Sequence, residues 1–345
     1  MQEDLFGAPP IPASAARVAA RKTPTTGVMP APASEDLLRL ATHMPSGLRM
    51  GVSTWSYPGW KGLVWDGDYD ASVLSRKGLV ALSAHPLMRT VCVDRTFWRP
   101  LGAESYAQMA AQVPEDFRFM VKCPNLITDV MVRDEHGMGH VHNPAFMDPE
   151  LAIHQFVLPC LQGLGDKLGV LVFQLSPMSG EALRHRAQVL NKLSKVLAAT
   201  RDCLQHTPQV IVAVEVRDPE LLADDLVHSL RSTGATFCMG LHGKMPPIAR
   251  QIDFLKKFWP SPLVCRWNLN HCFGPYGYPQ AQEKHQPFSE IRSPDPHTRQ
   301  ELARVITGIT GRGYPAFVTI SNDAEGCAPR SIALLAQSIR EHQQA

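Results

Sequence analysis

Four residues stand out for the chemistry they could do together. Glu215 and Arg217 close the run that begins at Val210, which is otherwise apolar and mostly β-branched and so suits a parallel strand covered on both faces. Two residues apart on a strand, they point to the same side. Lys122 ends a second apolar run, and Arg266 interrupts a third. If the four converge, one carboxylate faces three cations. Lys122, Arg217 and Arg266 would then suit an anionic, phosphate-bearing ligand, each guanidinium offering a two-pronged fork. Glu215 would serve as general base or metal ligand. The competing reading is an internal ion-pair network that only closes a core.

A second carboxylate, Asp94, could divide acid and base roles with Glu215 or share a divalent ion with it; otherwise it caps a loop. Gln174 and Asn322, also at ends of apolar runs, are further candidates for substrate contact. Trp55 and Trp98 would stack on a base or sugar ring if exposed, and would pack as lids if buried. His136, His140 and His142 could bind zinc, but their spacing matches no strong zinc motif, and mobile loop histidines are the plainer alternative. Asp218-Pro219 reads as the start of a helix, with Asp218 as N-cap.

The elements that must position these residues alternate along the chain. Strands are expected at Met50–Trp55, Thr90–Thr96, Phe117–Cys123, Gly169–Leu175, Val210–Arg217, Thr236–Leu241, Leu263–Asn268 and Ala316–Asn322. Between them the spacing predicts helices at Ser105–Val113, Glu150–Leu161, Gly180–Ala199, Pro219–Ser232, Pro246–Phe258 and Thr298–Gly311, and a last one at Arg330–His342. Eight strands alternating with helices imply an α/β fold, a (β/α)8 TIM-type barrel over residues 47–345. A doubly wound open sheet is the alternative, but no Gly-x-Gly-x-x-Gly follows a strand. In such a barrel the polar residues named above fall at the C-terminal ends of the strands, where barrel sites gather.

Residues 1–46 read as a flexible Pro/Ala-rich arm, with a short helix across Ser34–Thr42. Gln2-Glu-Asp-Leu-Phe6 resembles the peptide by which bacterial repair and replication proteins dock on the sliding clamp. Leu5 and Phe6 would fill an apolar pocket, Gln2 would hydrogen-bond, and the arm would give reach. A net charge of +2 argues against a general nucleic-acid binder while permitting a local basic groove. The eight cysteines are scattered without a C-x-x-C, which fits reduced residues of a cytoplasmic protein. No apolar run is long enough to span a membrane, and no signal pattern opens the chain.

Several motifs together resemble the YecE-like family, domain-of-unknown-function family 72. They are Met50-Gly-Val-Ser-Thr-Trp-Ser-Tyr-Pro-Gly-Trp60, Thr96-Phe-Trp-Arg-Pro100, Phe117-Arg-Phe-Met-Val-Lys-Cys-Pro124, Phe173-Gln-Leu-Ser-Pro177 and Val214-Glu-Val-Arg-Asp-Pro219. The resemblance spans roughly residues 49 to 340 and implies a TIM-type barrel, without implying a reaction. It also lends weight to Gln2–Phe6, since some members carry such a terminal peptide. The chain departs from the family pattern at Cys92, Asp94, Asp129, Asp218 and Asn268, and at Ser321-Asn322-Asp323. The shared frame is therefore present with an altered polar lining. The leading expectation is an enzyme, a phosphoester hydrolase acting on a nucleotide or other phosphate-bearing ligand, with or without a divalent metal. A non-catalytic repair factor tethered to the clamp and a sugar-processing barrel are the alternatives.

Overall fold

A computed structural model describes residues 27–133 and 139–344. The strands are β1 Leu48–Val52, β2 Met88–Val93, β3 Arg118–Lys122, β4 Met131–Arg133, β5 Gly139–His142, β6 Leu168–Leu175, β7 Ile211–Val216, β8 Thr236–Leu241, β9 Leu263–Trp267 and β10 Ala316–Ile320. Eight of them close a barrel in the order β1, β2, β3, β6, β7, β8, β9, β10 and back to β1. Every neighbouring pair in it is parallel. The expected TIM-type α/β barrel is what the chain forms. A parallel barrel buries both faces of each strand, which is why the strands are near-continuous apolar runs. One apolar layer lies between strands and helices; a second, including Met120, Val172, Ala213, Cys238, Val264 and Phe317, fills the barrel.

The helices follow their sequence signals. Helix Pro296–Thr310 starts with Asp295, whose side chain accepts from Thr298 N, and with proline in its first turn. Its buried Leu302, Ile306 and Ile309 recur at i, i+4 and i+7, the stripe that faces the strands. Helix Glu35–Thr42 forms where the short helix was expected, and Ser34 caps it, its side chain accepting from Leu37 N. The described segment before β1 is docked on the barrel. Ala31 N donates to Val64 O at 2.9 Å, Asp66 N to Met29 O at 3.1 Å, and Val28 and Leu40 are buried. Gln2, Leu5 and Phe6 lie outside the described residues.

Three local expectations are revised. Most barrel strands stop one to three residues early: β1 ends at Val52, β2 at Val93 and β10 at Ile320. The polar residues beyond them belong to turns, as with the 3-10 turn Asp94–Phe97. Asp218 precedes only a 3-10 turn, Pro219–Leu221, which its side chain does not cap, and the α-helix begins at Asp224. Asp218 instead accepts from Met178 N and from Lys244 Nζ, both at 2.8 Å, tying the loops after β6 and β8 to the end of β7. The insertion after β3 holds an antiparallel pair, β4 with β5, that periodicity did not suggest.

Candidate functional site

The inner face of the barrel changes character within two residues. Stepping two positions toward the C-terminal end from the apolar inner residues leads from Met120 to Lys122, Val172 to Gln174, Ala213 to Glu215, Val264 to Arg266 and Cys92 to Asp94. Period-two alternation keeps the first four on the inner face, and the 3-10 turn after β2 brings Asp94 to the same place. On β8 the same step leads from Cys238 to Gly240. A Cβ at Gly240 would lie 2.9 Å from Glu215 Oε1, so glycine leaves the space that the carboxylate fills. On β10 and β1 the residues level with Arg266 are Thr319 and Gly51. These are small, and the Arg266 side chain reaches across from β9 to Asp94 at the end of β2.

The charged side chains converge into one buried network. Arg266 Nη1 donates to Glu215 Oε2 at 2.5 Å, and Arg266 Nη2 to both Asp94 oxygens at 2.6 Å. Arg217 Nε stands 2.7 Å from Glu215 Oε1, which also accepts from Asn268 Nδ2 at 3.2 Å. Gln174 Oε1 accepts from Arg217 Nη2 at 3.0 Å and from Arg266 Nη1 at 3.3 Å. Cys92 Sγ donates to Asp94 Oδ1 at 3.1 Å. Lys122 Nζ lies 3.6 Å from the centroid of the Phe97 ring. Glu215 and Arg266 have no exposed surface, and Lys122 is 1% exposed.

This arrangement recasts the expected roles. Burial alone would raise the Glu215 carboxyl, but Arg217 and Arg266 outweigh it and hold it down to about 2. With both oxygens engaged and its proton lost, Glu215 is poorly suited to act as a base near neutrality. Both oxygens of Asp94 are taken up by Arg266 Nη2. The expected surplus of cations also shrinks, because two carboxylates face the two guanidiniums. Lys122 differs from the rest: burial, joined by Arg266 and Arg217 against the pull of Asp94, brings its amine down to about 7. Burial and Arg217 likewise push His242 down to about 3, leaving a neutral imidazole whose Nδ1 accepts from Lys244 N at 3.0 Å.

The remaining candidates scatter. Trp55 is not a stacking platform: it is buried, and its Nε1 donates to Ser75 O at 3.3 Å. Trp98 is 42% exposed, packs edge-on against Phe97 and remains open to a planar ligand. Asn322 is anchored in the fold through Oδ1, which accepts from Trp60 Nε1 at 3.2 Å and Ala328 N at 2.8 Å. His142 is exposed on β5. His136 lies outside the described residues, as does the side chain of His140. Among the described residues no three His, Cys, Asp or Glu side chains converge in a metal-binding cluster.

The sequence placed Tyr278 only among the aromatics expected to rim the mouth, and Asp323 only among the polar residues at the end of the last strand. Tyr278 opens helix Tyr278–His285, is buried, and hydrogen-bonds with Arg217. Burial raises its phenol to about 12. Asp323 sits in the turn after β10, and burial raises its carboxyl to about 7. Only the polarity of the expected strand end hinted at Asp323, and nothing in the turn-rich stretch before Tyr278 pointed to Arg217.

Comparison with known proteins agrees with this frame. A DUF72 family protein from Enterococcus faecalis V583 superposes with a TM-score of 0.55 at 13% identity, over 85% of this chain and 95% of that one. One from Thermotoga maritima MSB8 gives 0.52 at 16% identity, over 86% and 99%. At such identities the likeness shows the fold alone. No curated protein matches the chain significantly. The model of the family described as protein of unknown function DUF72 matches residues 49–345, and the chain belongs to that family.

Proposed function

We propose that the protein is an enzyme that performs acid–base chemistry on a small phosphate-bearing ligand admitted at the C-terminal mouth of the barrel. The observation that carries this reading is Lys122. Lys122 is buried among Asp94, Arg266, Glu215 and Arg217, at a position where a purely structural plug could place an apolar residue. An amine that titrates near pH 7 can carry a cation to a phosphate or a proton to and from a reacting group. In this reading Lys122 and Arg217 meet the ligand, Trp98 covers it, and Glu215, Arg266, Gln174 and Asp94 form the floor that fixes them. Phosphoester hydrolysis stays within the proposal, with Lys122 in place of Glu215 as the titrating group.

The test is a panel of nucleotides, sugar phosphates and other phosphoesters, assayed for binding and turnover with and without Mg, Mn or Zn. Lys122→Met is expected to abolish turnover while leaving the fold intact. A panel that neither binds nor reacts with the wild type, or a fully active Lys122→Met, contradicts the reading. We further propose that Gln2–Phe6 tethers the barrel to the sliding clamp. A pull-down in which Leu5→Ala/Phe6→Ala binds the clamp as well as the wild type removes that tether.

A further inference from the structure

The turn after β10 holds Asp323 rigidly beside the charged network. Its N–H donates to Ser321 Oγ at 3.2 Å, its carbonyl accepts from Asn270 N at 3.1 Å, and the neighbouring Asn322 is anchored by Trp60 and Ala328. Ser321 Oγ lies 3.5 Å from Oδ2, Gln282 also hydrogen-bonds the carboxyl, and Oδ1 is buried without a hydrogen-bond partner of good geometry. The titratable groups around it are Tyr57 from the turn after β1 and Tyr278 from helix Tyr278–His285, which also contributes Gln282. Behind Tyr278 stand Arg217 and the neutral ring of His242, 5.2 Å from the phenol ring. Among the described residues no cation forms an ion pair with Asp323. A buried carboxyl without a cation keeps its proton, and burial does hold this one to about pH 7. Across the mouth, by contrast, Glu215 is clamped as an anion by two arginines. Environments that push two carboxyl groups apart in this way assign them different jobs.

We propose that Asp323 is a neutral hydrogen-bond donor which, with the Tyr278 hydroxyl, receives a substrate oxygen that gains negative charge, so that the reacting group is a carbonyl. The inference rests on the mouth reading and deepens it. Lys122 as the free amine takes a proton from the carbon beside the carbonyl. The C–H electron pair moves into the adjoining carbon–carbon bond, and the carbonyl π pair moves onto oxygen. The resulting enolate is held by the Asp323 and Tyr278 O–H groups, with no bond to the protein and no change of oxidation state. An acid and a phenol side by side stabilise such an oxyanion without adding a fixed positive charge.

The experiment uses the full chain. Carboxyl 13C chemical shifts of Asp323, assigned by loss of the signal in Asp323→Asn, are followed from pH 4 to 9. Binding of 4-nitrophenol, whose phenolate imitates the enolate, is followed by absorbance. The expected result is a carboxyl titrating near pH 7 and a phenolate bound about tenfold more weakly by Asp323→Asn, equivalent to losing about 1.4 kcal/mol. A carboxyl already ionised at pH 5.5, no phenolate binding by the wild type, or equal binding by the two proteins overturns the inference. If Asp323→Asn does not fold, the wild-type titration, assigned by sequential backbone correlation, decides alone. These outcomes leave the mouth reading standing, because that reading is tested separately, by the phosphoester panel and by Lys122→Met.

Discussion

The two ends of the barrel are built from the same eight strands and solve opposite problems. At the N-terminal end the charges stay at the surface: Arg89 pairs with Asp116, the two side chains being 42% and 56% exposed, and Arg49 Nη1 donates to Asp116 O at 2.5 Å. A cleft of about 230 Å³ opens there, lined by Met44, Leu48, His85 and Phe117 among others. At the C-terminal end four charges are buried against one another, with Lys122 and Asp323 beside them. Exposed pairing beside a cleft thus marks one end, and buried charge marks the other. Exposed pairs are worth little and are freely exchanged, whereas buried ones must be held by exact partners or by function. The C-terminal end is also where TIM-type barrels keep their sites, while the opposite end serves stability.

The sharpest way to break this contrast is to remove one arginine from each end. Arg266→Met leaves Asp94 and Glu215 buried without their main partner and is expected to cost about 3–5 kcal/mol. Arg89→Met is expected to cost under about 1 kcal/mol. Denaturant titration of both variants compares the ends directly, and equal losses would erase the distinction. Lys122→Met should act in the opposite direction. The folded-state amine titrates below its unfolded value, so its penalty is absent above the unfolded pKa, grows as pH falls toward 7 and is complete below it. The variant is therefore expected to be more stable than the wild type at pH 6, by a few kcal/mol, and to lose that advantage toward pH 10.

Smaller effects refine the picture. Gly240→Ala places a Cβ 2.9 Å from Glu215 Oε1 and is expected to cost about 1–3 kcal/mol by displacing the carboxylate. The depressed Glu215 contributes stability that is present above its unfolded pKa and lost as pH falls toward 2. Acid unfolding followed by circular dichroism should accordingly show a component in Glu215-containing protein between about pH 4.5 and 2. Trp98→Ala, an exposed change, should alter stability by no more than about 0.5 kcal/mol while weakening any planar ligand at the mouth. An unchanged affinity would remove Trp98 from the site.

Much of the fold was legible because parallel barrel strands announce themselves as apolar, β-branched runs between helical repeats. The inward set was legible for the same reason: Glu215, Arg217, Arg266 and Lys122 follow from period two. Their pairing was not, because Arg266 reaches Asp94 in the turn after β2, 172 residues away in the chain, over Thr319 and Gly51. Nothing local to Asp94 states that its partner is an arginine, so three cations seemed to face one carboxylate. Strand ends were overextended where polar residues turn inward from 3-10 segments rather than from the ladder, as at Asp94. Trp55 and Asn322 look like site residues by type. The difference lies in what meets them, a backbone carbonyl for one and an indole with an amide for the other.

The account stands on Lys122 being a buried amine that exchanges its proton near neutrality, and one titration reaches it. With lysine side chains labelled in 13C and 15N and the Lys122 signal assigned from Lys122→Met, the Nζ shift is followed from pH 5 to 11. A midpoint of about 7 is the predicted result. A midpoint at the ordinary lysine value, above about 10, would mean that the amine is a permanent cation of the structural network, and the proposed chemistry at the mouth would fall.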